Sequence, residues 1–394
     1  MTERKRIRAG ILGSGYAARF HFEALKRVTC ADVEVIGAYS PGRAKLEEFT
    51  SQRGIKPFSS PDELINSSDV VHVCTPPSTH EPLTVAILEK GRHAIVEKPL
   101  TGYFGDGSEN FSGDTFSRRE GLLQTTESLR RMLDAEKKSK GKIMYAENWV
   151  YAPAIQKERE LIEKSGAQIL RMLGEESHSG SHSPVYGIWK FSGGGSLIGK
   201  GCHPLAGAVY LKSAEGRSRD EKPIRPVAVS ARAHAVTRMP GFMNRGHLRT
   251  GYRDIEDYGI MHVVFEDGTF ADIIASELAL GGVVNRLEVF ADNHRTLCSM
   301  TPNNAMQTYT PDEKYFKDVY IVEKTETKQG WSWVSPDESW FNGYQHEMEA
   351  FYNTAAYGVP LESDSTLAAD VISTIYAAYV SAAEKGREVE VVLL

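Results

Sequence analysis

Apolar residues in the first 150 positions form short continuous runs that alternate with segments in which they recur every three or four residues. Short apolar runs are typical of buried strands, and the longer spacing is typical of amphipathic helices. Strands are predicted at 7–12, 33–39, 70–74, 93–96 and 142–146, and helices after residue 15 and at 43–54, 80–90 and 127–138. This alternation predicts an α/β fold, a doubly wound parallel sheet of the Rossmann type, over residues 1–146.

The pattern changes after residue 147. Beyond a helical segment at 154–164, strand-like runs separated by turns such as Glu266-Asp267-Gly268 predict antiparallel hairpins, at 227–236, 259–265, 270–277 and 287–291. Helices are predicted at 342–357 and 365–385. We therefore expect a second α/β domain over residues 147–394, with its C-terminal helices packing back on the first domain and the functional site between the two.

Length, charge and cysteine content narrow the class of protein. A chain of 394 residues favours two domains, and a net charge of −6 without a basic run argues against nucleic acid and favours a small-molecule partner. The cysteines lie far apart without a C-x-x-C pair, which predicts reduced thiols and no metal site: they are Cys30, Cys74, Cys202 and Cys298. We see no apolar leader and no stretch of membrane-spanning length, and expect a cytoplasmic protein without membrane contact.

A glycine-rich turn joins the first predicted strand to the first helix. Its sequence, Gly-Ser-Gly-Tyr-Ala-Ala, has the G-x-G-x-x-A spacing of a dinucleotide site. The first glycine permits the tight turn, the second lets a pyrophosphate approach the backbone, and the alanine lets the helix lie close to the strand. Such turns also occur for structural reasons alone. The predicted cofactor contacts are Gly13, Ser14, Gly15, Tyr16 and Ala17.

The end of the second strand bears on the choice between NAD and NADP. An acidic residue there binds the 2′-hydroxyl of NAD, but this strand ends Ala-Tyr-Ser-Pro-Gly-Arg. Ser40 and Arg43 can accept the 2′-phosphate of NADP, although Arg43 is equally compatible with a solvated position on the next helix. The phosphate state of the cofactor stays open at this point.

Two turns at later strand ends carry further candidates. Thr75, Pro76, Pro77 and His80 follow one buried strand, and Glu97, Lys98 and a proline follow the next. Ligands of open α/β sheets bind outside the carboxyl ends of the strands, so both turns are expected to border the nicotinamide. The alternative for Lys98 is an ordinary surface lysine.

A long polar segment, residues 102–124, follows the second of these turns. It is rich in glycine and serine, yet it carries three aromatic residues. A long loop beside a site is either a lid or a tolerated insertion, and we favour a lid in which Tyr103 and Phe104 cover the ligand.

The second half contains a glycine-rich stretch at 193–203 that ends Gly-Lys-Gly-Cys-His. A helix beginning near it places Gly199 and His203 four residues apart on one face. His203 is a candidate acid/base, with a hydrogen-bonded structural histidine as the alternative, and Lys200 is a candidate for binding an anionic group or sharing proton transfer.

Residues 175–183 form a polar cluster that includes His178 and His182. The flanking glycine and serines indicate a loop, which favours a wall that hydrogen-bonds sugar hydroxyls over a metal site. Four tryptophans offer faces for a sugar ring, although each is also compatible with a core position: Trp189, Trp331, Trp333 and Trp340.

Together these motifs resemble the Gfo/Idh/MocA family, named for glucose–fructose oxidoreductase, inositol dehydrogenase and a rhizopine-catabolism protein. The resemblance rests on the glycine turn, Thr75-Pro76-Pro77 with His80, Glu97-Lys98-Pro99, Asn148 and Gly201-Cys202-His203. It implies a second domain with an open, largely antiparallel sheet that forms the substrate wall and an oligomer interface. It also implies cofactor contact by Asn148 and substrate contact by Tyr151. Many members carry Asp where this chain has Gly199, in the pattern Asp-x-x-x-His.

The resemblance implies an NAD(P)-dependent enzyme, with NAD favoured although the acid on strand two is absent. Our first expectation is hydride transfer from a hydroxyl of a sugar, polyol or sugar derivative, with Lys98 and His203 as acid/base groups. The alternative is an NAD-dependent glycosidase working by transient oxidation, elimination and addition, with an anionic glycoside as one candidate substrate. A third class, a cofactor-binding protein without catalysis, is disfavoured because both residues are present. We expect a homodimer or homotetramer formed through the open sheet.

Overall fold

The computed structural model describes residues 4–181, 183 and 185–394. Its first sheet has six parallel strands in the order β3-β2-β1-β4-β5-β6, the order of dinucleotide-binding Rossmann folds, and this confirms the predicted fold class. The strands are β1 (Arg6–Leu12), β2 (Asp32–Tyr39), β3 (Lys56–Pro57), β4 (Val70–Val73), β5 (His93–Glu97) and β6 (Ile143–Ala146). The helices are α1 (Tyr16–Leu25), α2 (Arg43–Ser51), α3 (Pro61–Ser67), α4 (His80–Glu89) and α5 (Arg118–Lys138).

The rest of the chain builds a seven-stranded mixed sheet in the order β12-β11-β7-β10-β9-β8-β15, in which only β7 and β10 run parallel. Its strands are β7 (Ile169–Ser177), β8 (Pro226–His234), β9 (Tyr258–Phe265), β10 (Phe270–Ser276), β11 (Val284–Ala291), β12 (Arg295–Thr301) and, at the edge, β15 (Val389–Glu390), while β13 (Gln307–Thr310) and β14 (Gly330–Trp333) form a separate hairpin. The helices are α6 (Pro153–Ser165), α7 (Trp189–Ser192), α8 (Ser196–Gly199), α9 (Cys202–Asp220), α10 (Glu338–Phe341), α11 (Tyr344–Tyr357) and α12 (Ser365–Ala383).

Several boundaries differ from the sequence prediction for local reasons. Helix α5 begins nine residues earlier than predicted, because Ser117 accepts a hydrogen bond from the backbone N–H of Glu120 and caps it. The insertion is therefore loop only over 102–117. Strand β7 continues through residue 177, so Glu175 and Glu176 lie on a strand and not in the predicted loop. The prediction also missed β3, α3 and β12.

The C-terminal helices pack back on the first domain. Helix α12 contacts α5 and β6 of that domain as well as β8 and α9, and α11 contacts α1 and β1. Buried side chains of both domains form one continuous apolar cluster that includes Met348 and Phe351 of α11. By length and composition α12 can cross a membrane, which the sequence analysis did not anticipate, but 83 % of its apolar window is buried inside the protein. Helix α12 is therefore a core helix of this structure.

The inserted loop does not act as the predicted lid. The backbone N–H of Gly113 donates to Asp254 Oδ2 at 2.7 Å, and the Tyr103 carbonyl accepts from the indole of Trp189 at 2.9 Å. The guanidinium of Arg118 lies over the rings of Phe116 and Trp189, 4.3 and 4.2 Å from their centroids. The loop thus joins the first domain to the second, and Tyr103 and Phe104 are absent from the described lining of the main cavity.

Candidate active site

A cavity of about 570 Å³ lies between the two domains, at the carboxyl ends of the first sheet. Its walls are the start of α1, the turn after β5, the end of β7, the turn between α8 and α9, and a covering segment, which we define as residues 302–341. The sequence-predicted residues that line it are Tyr16, Ala17, Glu97, Lys98, Asn148, His178, Lys200 and His203. Residues far apart in sequence therefore meet at one site of a size typical for small ligands.

The glycine turn has the geometry that a pyrophosphate needs. Gly13 has φ +117°, and a Cβ atom there would collide with the carbonyl oxygen of Cys74. At Gly15 a Cβ atom would meet no atom within 4 Å, so space lies open in front of the turn, with Ser14 partly exposed beside it. Helix α1 has no capping side chain and no acid in its first turn, so its first N–H groups are available to an anion. The residues present fit a dinucleotide.

The candidates for the adenosine phosphate lie at the end of β2. Ser40 is partly buried, while the side chain of Arg43 is 63 % exposed and donates to Glu47 Oε1 at 2.6 Å on its own helix. This ion pair is the solvated arrangement that the sequence analysis left open. A role of Arg43 toward a 2′-phosphate stays a prediction.

The turn after β4 contains four predicted cofactor contacts, of which His80 differs from the other three. Thr75, Pro76 and Pro77 are at least partly exposed at the strand's carboxyl end, as a ligand contact requires. His80 is completely buried, with Nδ1 2.8 Å from the Pro99 carbonyl and Nε2 2.9 Å from the Thr75 carbonyl. His80 links the turns after β4 and β5 and so positions them. The predicted contact between His80 and the cofactor is therefore wrong.

Lys98 projects from the turn after β5 toward the second domain. Its ammonium donates to the Gly199 carbonyl at 3.1 Å. Burial alone lowers the pKa of Lys98, but nearby negative charge outweighs burial and raises that pKa above the ordinary lysine value. The thiol of Cys202 is itself kept neutral, because burial raises its pKa, so the effective groups are the carboxylates of Glu176, Glu97 and Glu147. Lys98 is therefore a stable cation.

His203, in the first turn of α9, is held between a tryptophan and two carboxylates. Its Nδ1 lies 2.6 Å from Glu147 Oε1, and its ring stacks on Trp149 at an interplanar angle of 17°. Its Nε2 faces Glu176 Oε2 at 3.8 Å, beyond hydrogen-bond distance. Sequence reasoning missed Glu147, which follows β6 directly, and Glu176, although both are carboxylates at strand ends.

A second polar group occupies the other side of the turn between α8 and α9. The ammonium of Lys200 lies 3.7 Å from Glu277 Oε1, and Nδ1 of His178 lies 3.3 Å from Glu277 Oε2. Nε2 of His178 lies 2.8 Å from the ammonium of Lys324, a residue of the covering segment. His182, predicted as a substrate contact, lies outside the described residues.

Two predicted substrate contacts are wrong because they are core residues. Trp189 is completely buried in the aromatic cluster that holds the inserted loop. Tyr151 is 3 % exposed, packs edge-on against Phe351 and accepts a hydrogen bond from the backbone N–H of Ser363. Asn148 does line the cavity, and its amide donates to the Asn342 carbonyl at 2.7 Å.

Possible metal-ligating atoms of Glu147, Cys202 and His203 lie within 4.8 Å of one another. Nδ1 of His203 is already occupied by Glu147, and the ammonium of Lys98 is near enough to influence Cys202. A second cation beside this ammonium is electrostatically disfavoured. The expectation of no metal stays a prediction.

From the covering segment, residues 302–341, the sequence offered only Trp331, Trp333 and Trp340 as faces for a sugar ring, and these three are absent from the described cavity lining. The covering segment contributes Tyr320, Glu323, Lys324 and residues 335–339 to the cavity. Asp337 reaches across to Arg27 of the first domain at 3.7 Å, and the Tyr320 hydroxyl donates to Glu338. Its sequence lacks a recognisable ligand motif, so only the fold brings it over the site.

Comparison with known proteins agrees with this architecture. Residues 7–112 match the family model described as "Oxidoreductase family, NAD-binding Rossmann fold". This N-terminal region is therefore similar to the Gfo/Idh/MocA family. Among curated relatives, glucose-6-phosphate 3-dehydrogenase of Bacillus subtilis is 35 % identical over 91 residues, 23 % of this chain and 25 % of the relative. Inositol 2-dehydrogenase 4 of Saccharopolyspora erythraea is 35 % identical over 98 residues, 24 % of this chain and 27 % of the relative. The match thus spans about a quarter of these relatives' length.

Similarity of fold extends over the whole chain. The crystal structure of GenD2 from gentamicin A biosynthesis in complex with NAD superposes with a TM-score of 0.79 at 22 % identity, covering 100 % of this chain and 98 % of that one. At this identity the likeness establishes the fold.

The departure of this chain from the Asp-x-x-x-His pattern has a steric basis. A Cβ atom on Gly199 would lie 2.5 Å from the Tyr186 hydroxyl. Gly199 ends α8 and His203 lies in α9, so the predicted single helix with both on one face is wrong. Glu147, from a different element, supplies the carboxylate beside His203, and the Gly199 carbonyl supplies an acceptor for Lys98.

Proposed function

We propose that this protein is an NAD(P)-dependent oxidoreductase that transfers hydride between the nicotinamide and a hydroxyl carbon of a sugar or polyol. The observation that carries the proposal is the convergence of Lys98 and His203 on the cavity that begins at the open N-terminus of α1. A cation and an oriented imidazole beside a dinucleotide site are the groups that hydroxyl oxidation requires.

The cofactor, when bound, accepts or gives the hydride. The protein holds it with the turn Gly13–Ala17, whose open space at Gly15 and uncapped helix favour the pyrophosphate. The turns after β4 and β5 border the nicotinamide half. Their relative position is fixed by His80, which touches both.

The two candidate catalytic side chains have different roles. Lys98 stays protonated because carboxylates surround it, so it donates a hydrogen bond to the substrate oxygen and stabilises negative charge on it. Glu147 accepts the Nδ1 proton of His203, which leaves the Nε2 lone pair toward the cavity. His203 is therefore the group that takes the hydroxyl proton, and Lys98 is the electrostatic partner.

The names of the relatives support this substrate class. They include dehydrogenases of glucose 6-phosphate, UDP-N-acetylglucosamine and inositol. The family model describes an NAD-binding fold, and NAD is our first choice of cofactor. Arg43 and Ser40 leave NADP as the comparison to be measured.

The same proposal includes a homodimer or homotetramer formed through the second sheet. One face of that sheet packs on α9 and α12, while the opposite face carries half-exposed side chains such as Ile260, His262 and Ile274. Covering this mixed surface with a second copy buries apolar area that water otherwise contacts. We place the enzyme in the cytoplasm, for which its four free thiols are suited.

The deciding experiment is a panel of sugars, polyols, sugar acids and aryl glycosides with NAD and with NADP, followed by absorbance of the reduced nicotinamide. Stoichiometric reduction on free sugars is expected. Release of the aglycone with catalytic NAD and no net reduction would instead establish the glycosidase alternative.

Two variants test the assigned roles in the same assay. We expect His203→Ala and Lys98→Met to keep the fold and cofactor affinity while lowering kcat on the order of a hundredfold or more. Wild-type turnover in either variant would show that the substituted residue has a structural role and not a catalytic one.

A further inference from the structure

Two lysines of the cavity wall have no role in the proposed hydride transfer. Lys200 and Lys324 both line the cavity, and their side chains expose only 9 % and 10 % of their surface. They come from unrelated parts of the chain, the α8–α9 turn and the covering segment. Two ammonium groups are thus withdrawn from water at one place.

Lys200 has unused hydrogen-bonding capacity. An ammonium carries three N–H donors, yet among the described residues none accepts a hydrogen bond from Lys200. Its nearest carboxylate oxygen, on Glu277, is 3.7 Å away and already accepts from the Tyr186 hydroxyl at 2.7 Å. The other oxygen of Glu277 accepts from Tyr252 at 3.2 Å. A buried ammonium of this kind gains strongly from an added acceptor.

Lys324 is in a similar position. Its ammonium touches Nε2 of His178 at 2.8 Å, and its nearest carboxylate, on Glu323, lies 4.0 Å away. Glu277 lies beside Lys200 directly and beside Lys324 through His178. Its oxygens accept hydrogen bonds from Tyr186 and Tyr252, so N–H donors of the two ammonium groups remain for a ligand.

We infer that the substrate carries an anionic group, a carboxylate or a phosphate, which binds between Lys200 and Lys324. This inference rests on the proposed function, because it assigns the substrate class of the same cavity. The Gly199 carbonyl that binds Lys98 belongs to the residue next to Lys200, so the anion site adjoins the catalytic pair. The hydroxyl to be oxidised then faces Lys98 and His203 while the anionic substituent faces the two lysines.

Discrimination against neutral sugars follows from the same charges. A neutral ligand offers only dipoles to the unused N–H donors of the two buried ammonium groups, whereas an anion pairs with both. Anionic ligands are therefore preferred by stronger, charge-assisted hydrogen bonds.

The anion site is expected to depend on pH. Burial, and after it the positive charge of Lys200, lowers the pKa of Lys324 to about 8. The other groups that face Lys324 are Glu323, Glu277, Glu176 and His178. Below this pH Lys324 is charged and binds the anion, and above it the charge is lost. Affinity for an anionic substrate should therefore fall about tenfold per pH unit above 8, and binding near pH 8 should take up a proton.

The experiment compares matched trios of one sugar as the neutral form, the uronate and the 6-phosphate, in the gluco, galacto and manno series. We measure kcat and KM with NAD for the wild type, Lys200→Met and Lys324→Met, with Lys190→Met as control because Lys190 is an exposed lysine outside the cavity. Calorimetric titration of the uronates and phosphates into the NADH-loaded enzyme measures binding without turnover.

We expect an anionic member to be preferred at least tenfold over its neutral counterpart, and the preference to shrink at least tenfold in either variant but not in the control. The member preferred distinguishes a carboxylate from a phosphate. Equal use of neutral and anionic sugars, unchanged in Lys324→Met, would overturn the inference and leave the proposed function standing. Anion binding that weakens in Lys324→Met without any oxidation would support the inference while the proposed function fails. Absence of both binding and preference would overturn it.

Discussion

Nδ1 of His203 lies 2.6 Å from Oε1 of Glu147, which directly follows β6 of the first sheet, whereas the histidine lies on α9. We predict that Glu147→Gln lowers kcat on the order of a hundredfold or more, because an amide that donates to Nδ1 leaves the proton on Nε2 and removes the base. Steady-state kinetics with saturating cofactor measures this, and KM for the cofactor should not change.

A matched control for that variant exists elsewhere in the chain. Glu158 is a completely buried glutamate that contacts Nε2 of His294 at 2.9 Å, and it is not part of the described cavity wall. Glu158→Gln should leave kcat unchanged. An equal loss of kcat in both variants would show that burial of the pair, and not proton transfer, is responsible.

Gly15→Val should abolish cofactor binding without harming the fold. A Cβ atom at Gly15 would meet no atom within 4 Å, so the branched side chain is expected to occupy the open path of the pyrophosphate. Thermal melting of the free protein should match the wild type, and the rise in melting temperature on adding NAD should disappear. Gly13→Ala should instead lower the melting temperature itself, since its φ is +117° and its Cβ would collide with Cys74. Retained NAD stabilisation in Gly15→Val would contradict the placement of the cofactor.

Gly199→Asp, which restores the pattern common in the family, should destabilise this chain by about 1–3 kcal/mol, because the new Cβ atom crowds Tyr186. Denaturant unfolding of the two single variants and of Gly199→Asp with Tyr186→Ala measures the coupling, which should be favourable. Gly251→Asp is the control, since that exposed position has open space. Additive effects would show that Tyr186 is not what excludes the aspartate.

Glu347→Gln should increase stability at neutral pH. Burial is the main cause that raises the pKa of Glu347 well above its ordinary value, and the charges of Glu97 and Glu147 raise it further. Glu347 therefore stays protonated in the folded protein at pH values at which it ionises in the unfolded chain. The native state is therefore favoured below the unfolded pKa, near 4.5, and loses stability as pH rises toward the folded pKa. The amide removes this loss, so the variant is more stable than the wild type at pH 7 and equally stable at pH 4. Melting of this variant and of the exposed control Glu388→Gln across pH 4–8 tests it, and a pH-independent difference would refute the assignment.

Sequence patterns predicted those parts of the fold that depend on neighbouring residues in the chain. The strand–glycine–helix order at Gly13 indicated the cofactor side, and apolar runs located five of the six parallel strands, all but β3. The site was predicted where a residue follows a strand end, as Lys98 does, or lies in the glycine-rich stretch, as Lys200 and His203 do. Glu147 and Lys324 were missed because nothing local marks them. Glu147 becomes a partner of His203 only when α9 packs against the turn after β6, and Lys324 lies in a segment without a motif. Trp189 and Tyr151 were misassigned because aromatic residues near a glycine stretch look the same in sequence whether they face a ligand or the core.

Because the two domains share an apolar core, the first domain is complete only after the C-terminal helices have been synthesised. Residues of α11 fill part of the first domain, and the Tyr352 hydroxyl lies 2.9 Å from Nε2 of the buried His72. A ribosome delivers this helix only after almost everything else has emerged, so until then the nascent dinucleotide domain exposes an apolar surface where α11 later docks. The cavity wall that contains Glu347 is likewise the last to arrive. A chain truncated before Tyr344 therefore lacks the helix that covers one side of its nucleotide-binding domain.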